Sequence, residues 1–298
     1  MSNNSLTIGT RGSALALVQT HWVRDELLRL NPHLDIHVLI IQTTGDKSQA
    51  ANTPLSTYSE KGVFAKELET ALIDGDIDLA VHSMKDMASI LPEGLCIAAV
   101  PERHDVRDAL VGKSLNALSA GDRVGTGSVR RSALLRHHYP ILKVVDIRGN
   151  VDTRIRKLKD GEYDSIVLAA AGLGRLGRSS EIAEILDPEL FVPDPGQGAL
   201  AIEAREGDER IAGLLAPLNH RESFAAITAE RAFLAEYGGG CQTPVGAWAK
   251  VEGETMHLTA MAALGNTVPH YIKISGPADT PIELGKSATN YLQTSEKS

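Results

Sequence analysis

Three times along this chain, a short apolar strand runs into a turn of small or hydroxylated residues and then into a helix whose start carries arginine. Leu6-Thr7-Ile8 leads into Thr10-Arg11-Gly12-Ser13 and a helical run through Leu15, Val18, Trp22 and Leu30, with Ser13 as the predicted N-cap. Arg123-Val124-Gly125 leads into Thr126-Gly127-Ser128-Val129-Arg130-Arg131 and a helix. Val144 to Ile147 leads into Arg148-Gly149-Asn150-Val151-Asp152-Thr153-Arg154 and another. Strands alternating with helices predict α/β sheets. Free N–H groups and the macrodipole make each helix start attractive to anions, and the arginines add full charges there.

The segments between these units extend the same architecture. Ile36 to Gln42 is a continuous β-branched-rich run, predicted as a strand buried on both faces, and Thr43 to Gly62 is predicted as a long mobile loop closed by Lys61 and Phe64. A helix through Phe64, Leu68 and Leu72 follows. Asp78-Leu79-Ala80-Val81 is then a short buried strand that delivers His82-Ser83-Met84-Lys85-Asp86 to its carboxyl end, where open α/β sheets bind ligands. Ile166 to Ala169 is another buried strand. The Gly172-Leu173-Gly174-Arg175-Leu176-Gly177 that follows matches GxGxxG in letters, but no second strand ending in an acid follows at dinucleotide spacing, so Arg175 is read as a further binding cation. Pattern breaks at Val100 to Asp108 and at Pro193-Asp194-Pro195-Gly196-Gln197-Gly198 predict two crossings between two α/β lobes, which would form a hinged cleft. After a helix over 221–235, alternating segments at 245–251, 256–264 and 271–275 and a helix over 282–292 predict a small α+β domain. The expected domains are therefore 1–99 with 200–217, 100–199, and 218–298.

Charge narrows the function classes. The net charge of −8 conceals a local balance of +6 over residues 121–180, a stretch holding nine of the eighteen arginines and three lysines. Arginine in excess of lysine suits bidentate recognition of carboxylate or phosphate. An acidic chain with 4% aromatic residues offers little to a nucleic acid, so a small or medium polyanion is the favoured partner. Residues 1–8 lack the basic and apolar regions of a signal peptide, and no apolar run reaches the length of a membrane span, which predicts a cytoplasmic protein. Cys96 and Cys241 lie far apart without metal-ligand spacing, so neither a disulfide framework nor a bound metal is expected. Cys241 nevertheless stands out. It follows Gly238-Gly239-Gly240, a backbone almost free of side chains, which lets a bulky group approach the thiol.

Taken together, Thr10-Arg11-x-Ser13, Val81-His82-Ser83-Met84-Lys85-Asp86, Arg130-Arg131, Arg148-Gly149-Asn150-Val151, Ala170-Ala171-Gly172-Leu173, Pro195-Gly196-Gln197-Gly198 and Gly239-Gly240-Cys241-Gln242 resemble, in order and over nearly the full length, the porphobilinogen deaminase (hydroxymethylbilane synthase) family. That resemblance implies two α/β domains folded like type II periplasmic binding proteins, with a small α+β domain after them. It implies a transferase of tetrapyrrole (porphyrin, heme) biosynthesis that joins four porphobilinogen molecules with loss of ammonia. By motif, Cys241 would hold a dipyrromethane cofactor by a thioether, and Asp86 would be the catalytic carboxylate. Arg130, Arg131, Arg148 and Arg154, with Lys85, Asp86, Ser128 and Gln197, would bind the cofactor. Arg11, Ser13, Arg148, Arg154 and Arg175 would bind the substrate's acetate and propionate groups. Lys61 and Phe64 belong to the expected mobile loop, and a monomer with no nucleic-acid or membrane partner is expected.

The chain departs from the family pattern at two places. Gly127 stands where the family commonly has Ser, and Met87-Ala88 replaces Val-Pro after the catalytic Asp. Two rival readings remain: a carboxylate-binding module without chemistry, which leaves Cys241 and Asp86 unexplained, and a nucleic-acid-associated protein using 121–180, whose binding would fall steeply with salt.

Overall fold

The computed structural model describes residues 4–44, 65–238, 243–263 and 268–295. The chain divides into two compact units, Met1–Arg103 with Ala199–Phe224, and His104–Gly198 with Ala225–Ser298.

The first unit is built on a five-stranded mixed sheet. Its strands are β1 (Ser5–Thr10), β2 (Asp35–Ile40), β3 (Leu79–Ser83), β4 (Leu95–Ala99) and β10 (Leu200–Arg205), in the order β2-β1-β3-β10-β4. β1 runs parallel to β2 and β3, whereas β10 is antiparallel to both β3 and β4. The helices are α1 (Ala14–Leu30) and α2 (Lys66–Asp74), with α6 (Glu209–Leu215) after β10. The period-2 alternation of strand side chains separates two cores. Leu79 and Val81 join Ile202, Ala204, Val23, Leu27 and Ile211 on one face. Ala80 joins Leu68, Leu72 and Leu95 on the other.

Against the expectation of a doubly buried strand at 36–42, β2 is an edge strand with Leu39 43% and Ile40 56% exposed. A short apolar run reports strand propensity, not its place in the sheet, because a central and an edge strand can have the same composition. β1, β3 and β10 fall where the sequence places them, although His82 and Ser83 extend β3 instead of starting the turn, which is the single helical turn Met84–Asp86, and β4 is not among the strands read from the sequence. The predicted loop lies, from residue 45 to 64, outside the described residues.

The second unit contains two sheets. One has β5 (Asp108–Gly112), β6 (Arg123–Gly125), β7 (Lys143–Val145), β8 (Ser165–Ala169) and β9 (Ile182–Ile185) in the order β7-β6-β8-β5-β9. Here β6 is parallel to β7 and β8, and β5 is antiparallel to β8 and β9. In each five-stranded sheet the antiparallel strand sandwiched next to the parallel core, β5 or β10, is the first strand after the chain has crossed between units. α3 (Val129–His138), α4 (Val151–Lys159) and α5 (Ala170–Arg175) follow β6, β7 and β8. The glycines of the GxGxxG letters fall in and just after α5, not in a phosphate-cradling turn.

The other sheet is the antiparallel β11 (Val245–Glu252), β12 (Thr255–Ala262) and β13 (His270–Pro277), covered by α7 (Arg221–Tyr237) and α8 (Pro281–Ser295). Phe233, Leu258, Ala260 and Leu292 lie in its core. Met261 and Ala263 reach out of it to pack with Phe191 and Val192, so the two sheets of this unit share a hydrophobic cluster. Glu230 of α7, fully buried, reinforces the junction by accepting from Gly196 N at 2.7 Å and Ala249 N at 2.8 Å.

Gly198 sits where no other residue fits. Its φ is +88°, and a Cβ would meet the His104 carbonyl oxygen at 2.5 Å and the Asp105 carbonyl oxygen at 3.0 Å. Gly198→Ala is therefore expected to cost about 2 kcal/mol or more, from strain at positive φ plus a clash with backbone that cannot rotate away. A urea midpoint unchanged from wild type would refute this.

Candidate active site

In the first unit, β1 and β3 lie side by side in parallel and end at the same edge of the sheet. Ser13 caps α1, its Oγ accepting from Ala16 N at 3.3 Å, and the buried Thr20 hydroxyl donates to Thr10 Oγ1 at 2.7 Å, docking the helix onto β1. On the neighbouring strand, Gln19 Nε2 of α1 donates to Ser83 Oγ at 2.9 Å. These contacts bring Arg11, Ser13, Gln19, His82, Ser83 and Asp86 around one pocket. Three of the residues singled out by motif, Arg11, Ser13 and Asp86, thus converge, and the half-buried Asp86 faces this pocket with a cation and hydroxyls around it. Lys85 precedes Asp86 in the same helical turn.

His82 also lines this pocket, a residue the sequence reading quoted in the motif without giving it a role. Its Nε2 lies 2.9 Å from Glu203 Oε2 of β10, both side chains almost wholly buried. Glu203 carries no sequence signal: in a strand predicted only as Leu200-Ala201-Ile202, nothing marks the acid that follows as buried.

In the second unit, the cations are arranged around a carboxylate the sequence did not announce. Asp108, the first residue of β5, is 0% exposed. Arg131 gives it Nη2 at 2.7 Å and Nε at 3.1 Å, and Gln197 Nε2 donates to the same Oδ1 at 2.8 Å. Arg130 Nη1 stands 2.9 Å from Oδ2 as an ion pair but gives its aligned hydrogen to the Val192 carbonyl at 2.7 Å. Burial pushes the Asp108 carboxyl up, but the Arg130 and Arg131 charges outweigh it and hold the group well below the usual carboxylate range. Arg130 and Arg131, read from the sequence as anion-binding cations at a helix start, are 3% and 6% exposed. They are held inward because β5 places Asp108 beneath the first turn of α3.

The cluster retains a positive surplus, two guanidiniums against one carboxylate, and Arg130 Nε is buried with no hydrogen-bond partner among the described residues. Ser128 caps α3, accepting from Arg131 N at 3.4 Å, and Asn150 caps α4, accepting from Thr153 N at 3.1 Å. Arg148 pairs with Asp146 at 2.8 Å on the surface, and Arg154 Nε donates to Gly149 O at 2.7 Å. Arg175 Nη2 donates to Gly198 O at 2.8 Å, and burial lowers its pKa to about 10, with no carboxylate in ion-pair reach among the described residues. An orphaned guanidinium nitrogen and a half-buried arginine without a counter-charge among the described residues fit an anionic, carboxylate-bearing group.

The departure at Gly127 has a steric counterpart, since a Cβ there would lie 2.9 Å from the Ile147 carbonyl oxygen. Met87 is 1% exposed and fills core space after the Asp86 turn. Cys241, Lys61 and Phe64 lie outside the described residues. No group of His, Cys, Asp and Glu among the described residues is arranged to hold a metal ion, and none of the described helices is long and apolar enough to cross a membrane.

The family description "Porphobilinogen deaminase, dipyromethane cofactor binding domain" matches residues 6–213, and "Porphobilinogen deaminase, C-terminal domain" matches 224–294. A porphobilinogen deaminase of Roseiflexus castenholzii is 50% identical over 293 residues, 97% of this chain and 96% of the relative. One from Roseiflexus sp. strain RS-1 is 51% identical over 97% of this chain and 95% of its own. Among solved structures, the chain is similar to the periplasmic VFT2 domain of Bordetella pertussis BvgS, at 16% identity and a TM-score of 0.40, over 72% of this chain and 86% of that one.

Proposed function

The chain belongs to the porphobilinogen deaminase family, and from that premise we propose that Asp86 is its catalytic carboxylate and Cys241 the attachment point of its cofactor. Its activity is the synthesis of hydroxymethylbilane from porphobilinogen, with release of ammonia, on a dipyrromethane cofactor. The observation that carries the assignment of Asp86 is its place in one pocket with Arg11 and Ser13, beside the carboxyl ends of β1 and β3.

Loss of ammonia from an aminomethylpyrrole leaves positive charge on the substrate ring and its methylene. A carboxylate held near the ring nitrogen stabilises that charge as it develops, and it can then help remove the α-proton from the attacking pyrrole. Lys85 cannot replace it, because a cation opposes the same charge. Arg11 and Ser13 supply donors for the substrate's acetate and propionate. Arg148, Arg154 and Arg175 share that work.

Dipyrromethane, when bound, supplies the free pyrrole position to which the first substrate unit is joined. Its carboxylates are assigned to Arg130, Arg131, Arg148 and Arg154, with Lys85, Ser128 and Gln197, and its pyrrole N–H groups to Asp86. The surplus charge around Asp108 and the orphaned Arg130 Nε support that assignment. We retain the division into 1–99 with 200–217, 100–199 and 218–298, which the three separate sheets support. The cytoplasmic, monomeric reading rests on the sequence.

Intact mass tests the attachment. The purified protein should weigh two deaminated porphobilinogen units more than its sequence, or gain them on incubation with porphobilinogen, and Cys241→Ser should show neither. A cofactor-sized excess surviving in Cys241→Ser would move the thioether elsewhere.

A further inference from the structure

The pair His82–Glu203 is buried, His82 lines the Asp86 pocket, and the pair has no part in the chemistry assigned above. Register places it there. Glu203 lies opposite Ala80, and His82 opposite Ala201, so alternation turns both side chains to the α2 face of the sheet. The His82 side chain is 5% exposed and that of Glu203 is not exposed at all. Glu203 Oε2 takes the contact to His82 Nε2 at 2.9 Å, while Oε1 is buried without a hydrogen-bond partner among the described residues.

A carboxylate oxygen is an acceptor, so the tautomer that matches this contact carries its proton on Nε2 and has Nδ1 as its acceptor. His82 lines the pocket that Asp86, Arg11 and Ser13 line. Glu69 of α2, 8% exposed, faces the pair from the helix. Burial first, and then the charge of Glu203, push its carboxyl up, against a smaller opposing pull from His82. A buried acid that only stabilised the fold could be met by any donor; a histidine bordering the reaction pocket adds a second ring nitrogen.

We propose that His82 is a positioning residue of the deaminase reaction: Glu203 fixes its ring so that Nδ1 gives the pocket a second, uncharged hydrogen-bond acceptor beside the Asp86 carboxylate. The ligand chemistry that matches two adjacent acceptors is an aminomethylpyrrole, which carries donors on its ring nitrogen and on its amine. Asp86 takes the ring N–H, and His82 orients the aminomethyl group through a hydrogen bond without placing a second negative charge there. This inference rests on the assignment of Asp86.

Two amide substitutions separate the ring's two edges. His82→Gln puts an amide near the Nε2 position and keeps a donor to Glu203, whereas His82→Asn puts one near Nδ1 and gives up Glu203. Measured on the cofactor-loaded enzyme, with loading checked by intact mass, His82→Gln is expected to melt within a few degrees of wild type yet lose about tenfold in kcat, with little change in KM. His82→Asn is expected to melt lower and to retain more kcat than His82→Gln. If His82→Gln fails to fold, Glu203→Met decides, because it removes the acceptor that fixes the ring while keeping a side chain of similar length, and kcat should again fall about tenfold. Wild-type kcat in the folded His82→Gln enzyme, or in Glu203→Met where that variant decides, would overturn the proposal. The same result with Asp86→Asn inactive would leave the role of Asp86 standing.

Discussion

Asp86→Asn is expected to fold with the wild-type Tm and to turn porphobilinogen over at least ~100-fold more slowly, the usual loss when a charge-stabilising and proton-moving carboxylate is neutralised. Size and pocket shape are kept, because asparagine is nearly isosteric with aspartate and the residue is only partly buried at the end of a helical turn. What disappears is the negative charge against which positive charge develops as ammonia leaves. Cofactor loading, read by intact mass, should be impaired too, since Asp86 is also assigned to the cofactor. The quantity to compare is therefore single-turnover rate per loaded protein. A rate within a few-fold of wild type would remove Asp86 from the chemistry and turn attention to the other groups of its pocket.

Asp108→Asn is expected to have the largest effect on stability. The aspartate is fully buried and satisfies two arginines that are themselves almost wholly buried, and an amide in its place leaves both guanidiniums without a counter-charge. Breaking a buried pair on one side costs roughly 3–5 kcal/mol, which for a unit of this size lowers Tm by roughly 10 °C. Because the carboxyl is held below its usual range in the folded protein, its contribution is complete above about pH 4, the unfolded value, and is lost as pH falls below that toward the folded value. The difference in stability between wild type and Asp108→Asn should accordingly be constant from neutral pH to about pH 5 and shrink in more acidic buffer. A difference that grew on acidification would show that the carboxylate is not the species holding the arginines. Dipyrromethane loading should drop as well, since Arg130 and Arg131 lose the group that orients them.

Much of the site was legible because its residues sit beside local signals. Ser13, Ser128 and Asn150 cap helices where strand, turn and helix follow one another, and capping geometry is decided within four residues. Asp86 was legible from its place just after a buried strand. Asp108 and Glu203 were not, since each meets its partner across at least 22 residues of chain: Arg130 is 22 positions from Asp108, and Glu203 is 121 from His82. Nothing in Arg107-Asp108-Ala109 distinguishes a buried counter-ion from a surface acid.

The sequence by itself determined most of the strands and helices, though not β4, β5, β9 or α6, together with the Ser13 cap and the family motifs that name the chemistry. These depend on local periodicity, on turn residues and on side-chain type, all of which are written along the chain. Only the tertiary structure decided that β2 is an edge strand, that β5 and β10 run antiparallel inside their sheets, that Arg130 and Arg131 turn inward onto Asp108, and that Glu203 is buried against His82. Those outcomes turn on which strand lies next to which, a matter of non-local pairing. A carboxylate's partner, and with it its charge state, is set by what the fold brings within 3 Å of it.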